Sequence, residues 1–500
     1  VAPRFYFIKE LGDNGKVIMA ERTVDTKTLV IKYGGTSVGS AEAIQQVIAQ
    51  VQLAREEWKQ VVVVLSAMSG VTDLLLTAAS AAAEGDEETP RSTASALMER
   101  HDSTIKGLLS SKAEREITRD RVASHVNEFS SLAQAVYVLG EASPRALDAI
   151  SSLGERMVVH LVAARLRELG CVATTVLSSE LIRTDAQFQA ANPDMDVTRT
   201  LTRDILVPLL DDGVVPVVTG FMGATDDGAI TTLGRGGSDY SAAILAVAVD
   251  ADEAWICTDV DGVMTTDPRI ASNARTLPTI AYREIAELAS AGAKVVHPKA
   301  ISPVLEHGIK LSIRNTFNPD GPNTHVLTDS DTGNQGAKAV TVVKAHSLLA
   351  LEGRGMLGVQ GIAARTFEVT ARTNASVTLI IQTSSEQSIC FAVPQSVAQR
   401  VIEELEREFR HEFKWKHIDR VRVQHDIVIV TVVGAGMRNT PGIAGKVFGA
   451  LGKRGLNVVA IAQGSSECSI SLVVAAAEAD DSVRAIHELI VDSHLEDEYE

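Results

Sequence analysis

The sequence predicts an α/β protein in which an open, mostly parallel sheet lies between helices and is followed by two small α/β domains. Three observations carry this. Short β-branched runs alternate with helical patterns through the first part of the chain; a stretch after Asn315 breaks that texture with clustered Pro, Gly, Asn and Asp; and a gapless internal repeat fills the remainder.

Leu29 to Tyr33, Val61 to Leu65, Val172 to Leu177, Val214 to Thr219 and Trp255 to Thr258 are apolar runs bounded by turn residues, the pattern of strands buried on both faces. Between Gly154 and Gly170, Val158, Val162, Leu166 and Leu169 recur at helical spacing and make one apolar face. Glu155 then falls in the first turn of that helix, and Gly170 stops it. Residues 80–149 read as a polar, helical excursion packed beside the sheet. The expected organisation is an extension at 1–28, a large α/β domain at 29–318, a linker and joining strand at 319–346, and two repeats at 347–420 and 421–500.

The repeat is read from matched motifs. GRGM at Gly353 returns as GAGM at Gly434, GIAARTF at Gly361 as GIAGKVF at Gly442, and SSEQSI at Ser384 as SSECSI at Ser465, always 81 residues on. Val377 with Val458 and Gln382 with Gln463 keep the register. Each copy reads strand, turn, helix, strand, turn, strand, helix, and paired copies invite side-by-side packing with ligand sites at the seam. Gly353, Gly355 and Gly358 formally spell GxGxxG. No acid ends the following strand at the right distance and Asn439 replaces the third glycine in the second copy, so a dinucleotide site is not expected there.

Composition narrows the function. Sixty-four acids against 47 bases give a net charge of −17, a surface that repels phosphate backbones and anionic lipid, so neither nucleic acid nor membrane is an expected partner. No run reaches the roughly 18 apolar residues of a membrane span. Cys171, Cys257, Cys390 and Cys468 lie far apart without a CxxC pair, which fits reduced thiols in a cytoplasmic setting and no protein-built metal site. A plastid is expected only if a transit peptide has been removed.

Three segments point to phosphate and carboxylate chemistry. In LVIKYGGTSVGS a buried strand runs into Gly34, Gly35, Thr36 and Ser37 before a helix near Ala41, so that backbone N–H groups and the helix start favour an anion and Lys32 adds a point charge. The spacing is not that of GxxxxGK followed by Ser or Thr, and an ordinary turn with a solvated lysine is the competing reading. In TTLGRGGSDYSAAILA three glycines surround Arg235, suited to bidentate capture of a carboxylate, with Ser238 or Asp239 as N-cap of the next helix. In WICTDVDGVMTTDPR a strand ends in Thr258, Asp259 and Asp261, the place where open α/β sheets bind ligands; a plain Asp-Gly turn is the alternative.

Taken in order, KYGGTSV, SAMSGVTD, SLGERM, GFMG, TTLGRGGSDYSA, TDVDGVMTTDPR and GAKVVHPKAI resemble an aspartate kinase of the amino-acid kinase fold, from Leu29 to the C-terminus. The repeats resemble ACT domains, and their SSE turns are most similar to threonine-sensitive aspartate kinases, including those fused to homoserine dehydrogenase; no such fused enzyme is expected within these 500 residues. The resemblance implies ATP phosphates on Lys32, Gly34, Gly35 and Thr36. It places Thr258, Asp259, Met264, Asp267, Arg269, Lys294 and Val295 around the nucleotide. It gives the α-carboxylate of L-aspartate to Arg235 and its ammonium group to Glu155 and Asp239, with Thr72 and Ser238 positioning it, and makes Lys32, Arg235 and Asp239 the catalytic set. Met264 stands where the family has Tyr, and its flexible thioether can still pack on a purine.

The implied reaction uses Mg²⁺ and ATP to phosphorylate the side-chain carboxylate of aspartate, the first step of lysine, threonine and methionine biosynthesis. An end-product amino acid, threonine or lysine, is expected to bind the ACT region through Gln382 and Gln463 and to inhibit, and pairing of ACT units between chains implies a homodimer or tetramer. Two other readings stay open here: a kinase acting on glutamate, N-acetylglutamate or a nucleotide monophosphate, and an inactive amino-acid-binding regulator.

Overall fold

The structure, a computed structural model, describes residues 6–11, 17–21, 27–293, 296–328, 336–382, 387–463 and 468–497. It divides into two compact units, one of Val1–Val263 with Val296–Leu327, the other of Met264–Val295 with Thr328–Glu500.

In the first unit a hairpin of β1 (Tyr6–Leu11) and β2 (Val17–Glu21) precedes the sheet. Then come β3 (Thr28–Tyr33), α1 (Ala41–Glu57) and β4 (Gln60–Leu65). Five helices follow: α2 (Val71–Ala83), α3 (Glu88–Leu108), α4 (Lys112–Leu139), α5 (Pro144–Ser151) and α6 (Leu153–Glu168). Next are β5 (Ala173–Val176), the one-turn α7 (Ser178–Leu181), α8 (Met195–Asp211) and β6 (Val215–Thr219). A small hairpin, β7 (Met222–Ala224) and β8 (Ile230–Thr232), leads into α9 (Gly237–Ala248) and β9 (Glu253–Thr258). The chain lends β10 (Thr279–Ala281) and α10 (Tyr282–Ser290) to the second unit and returns with α11 (Pro298–Glu306), β11 (Lys310–Asn315) and β12 (Thr324–Leu327).

Strands of the first unit pair in the order β12-β11-β9-β3-β4-β6-β5, parallel throughout except for β12 on β11. The five strands expected from the apolar runs are all present, β3 and β4 at the centre. Val61 to Leu65 are almost wholly buried because helices cover both faces, and each such side chain contributes about 1.5–3 kcal/mol relative to exposure. Leu97 and Phe129 of the helical excursion share one core with Leu29, Ile31 and Val158, so residues 80–149 pack beside the sheet as expected.

Local signals were also informative. Ser40 caps α1, its Oγ accepting from the Ala43 N–H at 3.2 Å, and Gly170 leaves α6 in the left-handed region at φ 82°. One local expectation is corrected: the N-cap of α9 is Gly236, not Ser238 or Asp239. Its φ of 74° turns the chain two residues earlier, which places both polar residues inside the first turn, where Asp239 complements the helix dipole.

The second unit carries the repeat. Its elements are β13 (Ala339–Glu352), α12 (Ile362–Arg372), β14 (Leu379–Gln382), β15 (Ser388–Pro394), α13 (Gln395–Glu408) and the short α14 (Arg410–Lys414). The second copy follows as β16 (Arg420–Val433), α15 (Ile443–Lys453), β17 (Ala460–Gln463), β18 (Ser469–Ala475) and α16 (Ala479–Asp497). The spacing of 81 read from the motifs holds element by element for β13, α12, β14 and β15 against β16, α15, β17 and β18. All six strands form one antiparallel sheet in the order β14-β15-β13-β16-β18-β17, joined at its centre by β13 and β16. Ala345 and Asp426, equivalent by that spacing, both take positive φ (57° and 53°). The β13–β16 ladder shifts register there. The GxGxxG-like glycines serve packing: a Cβ on Gly353 would lie 2.2 Å from the His417 carbonyl oxygen, and on Gly434 2.1 Å from that of Gly336, the same contact in both copies.

Residues 264–295, assigned by composition to the large domain, cluster by contact with the repeats. Glu284 of α10 is fully buried. Its Oε2 accepts from the Ala281 N–H and from Lys338 Nζ, both at 2.9 Å, and its Oε1 from the Ala435 N–H at 2.7 Å, within the GAGM turn. Ser469 Oγ donates to Glu287 Oε2 at 2.8 Å one turn further along. Removing one partner of a buried, fully bonded ion pair typically costs about 3–5 kcal/mol. Glu284→Ala is therefore expected to destabilise the second unit by that order, seen as faster amide exchange across β13 and β16; unchanged protection there would contradict it.

Candidate active site

Sheet geometry gathers the loops of interest at the C-terminal ends of β3, β4, β6 and β9. The Gly34 N–H donates to the Cys257 carbonyl (3.3 Å), the Ser66 N–H to Tyr33 (3.1 Å) and the Gly220 N–H to Leu65 (2.8 Å), so each loop is fixed to its neighbour as it leaves the strand. A cleft of about 650 Å³ opens among them. It brings together Lys32 and Gly35 from the first glycine loop, Thr72 from α2, Glu155 from α6, and Arg235, Ser238 and Asp239 from the second glycine loop and α9. Gly34 and Thr36 flank Gly35 in the same loop.

Lys32 Nζ lies 2.5 Å from Asp239 Oδ1, with the two side chains 11% and 14% exposed. The sequence reading gave Asp239 to the substrate; the structure adds a partner it did not foresee. Glu155 is buried, its Oε1 accepting from the Ala67 N–H at 3.0 Å, while Oε2 has no hydrogen-bond partner among the described residues. Burial pushes its pKa up to about 8 against the opposing pull of the Ala67 N–H and the charge on Lys32. A buried carboxyl oxygen that faces a cleft without a protein partner is placed to receive a ligand's cation or donor. Arg235 is exposed and makes no ion pair among the described residues, held out by a loop that only glycine can form: at Gly236 a Cβ would come within 2.3 Å of the His297 Cβ. The cleft thus offers an available guanidinium, an unsatisfied carboxylate and a lysine, together with backbone N–H groups of glycine loops able to hold phosphates.

The remaining expected residues lie elsewhere. Thr258 ends β9, its Oγ1 donating to Asp259 Oδ1 at 3.2 Å. Met264, Asp267 and Arg269 belong to the second unit. There Arg269 grips Asp267 through Nε (2.9 Å) and Nη2 (2.6 Å), holding that carboxyl below its ordinary range. Lys294, Val295 and the two SSE turns lie outside the described residues. Gln382 and Gln463 are exposed at the equivalent ends of β14 and β17. Two residues of the site were missed. His297, which precedes α11 and packs on Gly236, was signalled by its His-Pro pair within the GAKVVHPKAI motif. Asp148 lines the cleft from α5 and had no signal, because LDAIS reads only as amphipathic helix.

Comparison with known proteins agrees with this geometry. The model of the amino acid kinase family matches residues 27–315, and that of the ACT domain matches 349–409 and 430–489. The chain is 32% identical over 474 residues to an aspartokinase of Thermus thermophilus, covering 92% of this chain and 98% of that protein. It is 33% identical over 465 residues to the chloroplastic bifunctional aspartokinase/homoserine dehydrogenase 1 of Arabidopsis thaliana, covering 92% of this chain and 50% of that one. The chain spans about half the length of the bifunctional relatives it matches. The crystal structure of E. coli aspartokinase III in complex with aspartate and ADP (R-state) superposes with a TM-score of 0.76 at 30% identity, covering 92% of this chain and 99% of that one. Sheet, cleft and paired repeats have the make-up of the amino acid kinase family followed by tandem ACT domains. The chain belongs to the amino acid kinase family, as a member of its aspartokinases.

The pKa of Glu155 gives a pH prediction. Its folded value of about 8 lies above the ordinary 4.5, so the native state holds a proton that the unfolded chain has released, and stability contributed by this group falls as pH rises through that window. A carboxyl resonance titrating near pH 8 in the wild type and absent from Glu155→Gln is expected by carbon NMR, and the variant should lose this part of the pH dependence of unfolding.

Proposed function

We propose that this chain transfers the γ-phosphoryl group of ATP to the side-chain carboxylate of free L-aspartate, giving ADP and 4-phospho-L-aspartate at the head of lysine, threonine and methionine synthesis. One observation carries the reading: an unsatisfied buried carboxylate, Glu155, and an available guanidinium, Arg235, face the same cleft as Lys32. With Glu155 ionised beside a bound cation, the two groups match the ammonium and α-carboxylate of an amino acid and leave its side chain for the lysine end. The complex of aspartate and ADP named for E. coli aspartokinase III supports it. A substrate whose amine is acylated or absent would leave the orphaned oxygen of Glu155 unpaired, which disfavours N-acetylglutamate and nucleotide monophosphates.

The acceptor carboxylate is ionised at neutral pH, so the reaction needs no general base. Lys32 neutralises charge on the phosphoryl group, and Asp239 holds that lysine in place while sharing the ammonium with Glu155. The loops at Gly34 and Gly236 fix donor and acceptor in line, the positioning on which phosphoryl transfer mainly depends. Mg²⁺, entering on the nucleotide, supplies further charge neutralisation at the phosphate oxygens. Feedback by an amino acid fits the paired ACT domains, with Gln382 and Gln463 as the contacts; threonine is favoured by resemblance, and lysine is present in the T-state structure of E. coli aspartokinase III. Ile380 and Ile461, an exposed apolar pair at equivalent positions of β14 and β17, suit association of ACT units between two chains in a homodimer or tetramer.

The test is aspartate-dependent ADP release with Mg-ATP; no release with aspartate refutes the proposal. Lys32→Ala should lower kcat by about a hundredfold or more with little change in KM for aspartate, and Arg235→Ala should mainly raise that KM. Inhibition by millimolar threonine or lysine should weaken in a Gln382→Ala, Gln463→Ala double variant, and wild-type inhibition in that variant would remove both residues from the effector site.

A further inference from the structure

We propose that Asp148 is a positioning residue which fixes the spacing between the two groups that grip the amino-acid head of the substrate; this rests on the reading of the cleft given above. Asp148 is 1% exposed on α5, and no cation pairs with it among the described residues. Its carboxylate is instead held by three donors from two other segments. Oδ1 accepts from Thr232 Oγ1 at 2.7 Å, and Oδ2 accepts from the Thr232 N–H at 2.8 Å and the Gln189 N–H at 2.9 Å.

Both segments carry the Arg235 loop. Thr232 ends β8, three residues before Arg235, and its carbonyl accepts from the Ala191 N–H at 2.9 Å. A Cβ on Gly234 would stand 3.0 Å from the Gln189 carbonyl oxygen, so the glycine loop lies directly on the Gln189 turn. Gln189 itself has a φ of 70°, a conformation that costs a residue with a side chain about 1–3 kcal/mol and persists only where neighbours hold it. The Asp148 carboxylate supplies one such hold. In the other direction α5 passes into α6 with only Ser152 between them, and Glu155 lies seven residues beyond Asp148. One buried carboxylate therefore ties the helices that present Glu155 to the loop that presents Arg235. A buried acid in this position is otherwise a cost, since burial alone raises its pKa and an apolar residue would suit the helix face better.

The test uses the full-length chain and the nearly isosteric Asp148→Asn, which keeps one acceptor oxygen but turns an amide N–H toward a donor. Wild-type turnover of aspartate is measured first, and its absence defeats the underlying reading rather than this inference. With that turnover present, Asp148→Asn is expected to raise KM for aspartate about tenfold or more, leave kcat within about threefold and leave the calorimetric Kd for ATP unchanged. In an Arg235→Ala background the same substitution should add little, because both act on one contact. Thr232→Val, which removes only the hydroxyl, should move KM in the same direction by less, and stands in if Asp148→Asn does not fold. An aspartate KM within twofold of wild type, an equal loss of ATP affinity, or a full additive effect on top of Arg235→Ala would each overturn the proposal.

Discussion

Lys32 occupies the next-to-last position of β3, the strand that β4 and β9 enclose on either side, and only a tenth of its side chain reaches solvent. A cation at the end of a buried parallel strand is tolerable because Asp239 meets it at 2.5 Å from the first turn of α9. That pair dictates much else. The chain after β8 must turn sharply enough to bring Asp239 over β3, which demands the left-handed Gly236 and its close packing against His297. The same turn throws Arg235 outward at the mouth of the cleft.

Around this pair the cleft is electrically unfinished. Lys32 and Asp239 cancel, Arg235 is left over, and Glu155 sits buried with one oxygen unsatisfied and its charge suppressed by desolvation. On the proposed function an amino-acid zwitterion completes both ends: the nearby ammonium favours the ionised form of Glu155, whose proton passes to solvent, and the carboxylate meets the guanidinium. The cost of keeping such groups unpaired is borne by the scaffold, whose large apolar core spans the sheet and the helical excursion together.

The sheet was legible in the sequence because its strands are buried on both faces, where nothing but apolar, β-branched residues can stand, and the repeat was legible because its spacing is kept without a gap. The glycine loops were legible for the same kind of reason, since close backbone approach leaves no substitute for glycine. The start of α9 was not: Ser238 and Asp239 have capping side chains, and the preference of those side chains was outweighed by the backbone freedom of Gly236. Asp148 and the Lys32–Asp239 pair were hidden because both depend on contacts between segments far apart in the chain, for which local periodicity carries no mark. The placement of residues 264–295 was equally invisible, its composition being that of the segments before and after it.

That last segment has a bearing on how such a protein can be taken apart or recombined. The obvious seam in the sequence, the Pro- and Gly-rich stretch beyond Asn315, is not a seam in the packing, because Glu284 and Glu287 lie on its near side and their partners Lys338, Ala435 and Ser469 on its far side. A fragment cut there would carry away a carboxylate shaped to meet a lysine it no longer has, and a grafted C-terminal half from a relative would have to arrive with its own version of α10. The repeat half therefore keeps these contacts only together with a piece of the half it is joined to.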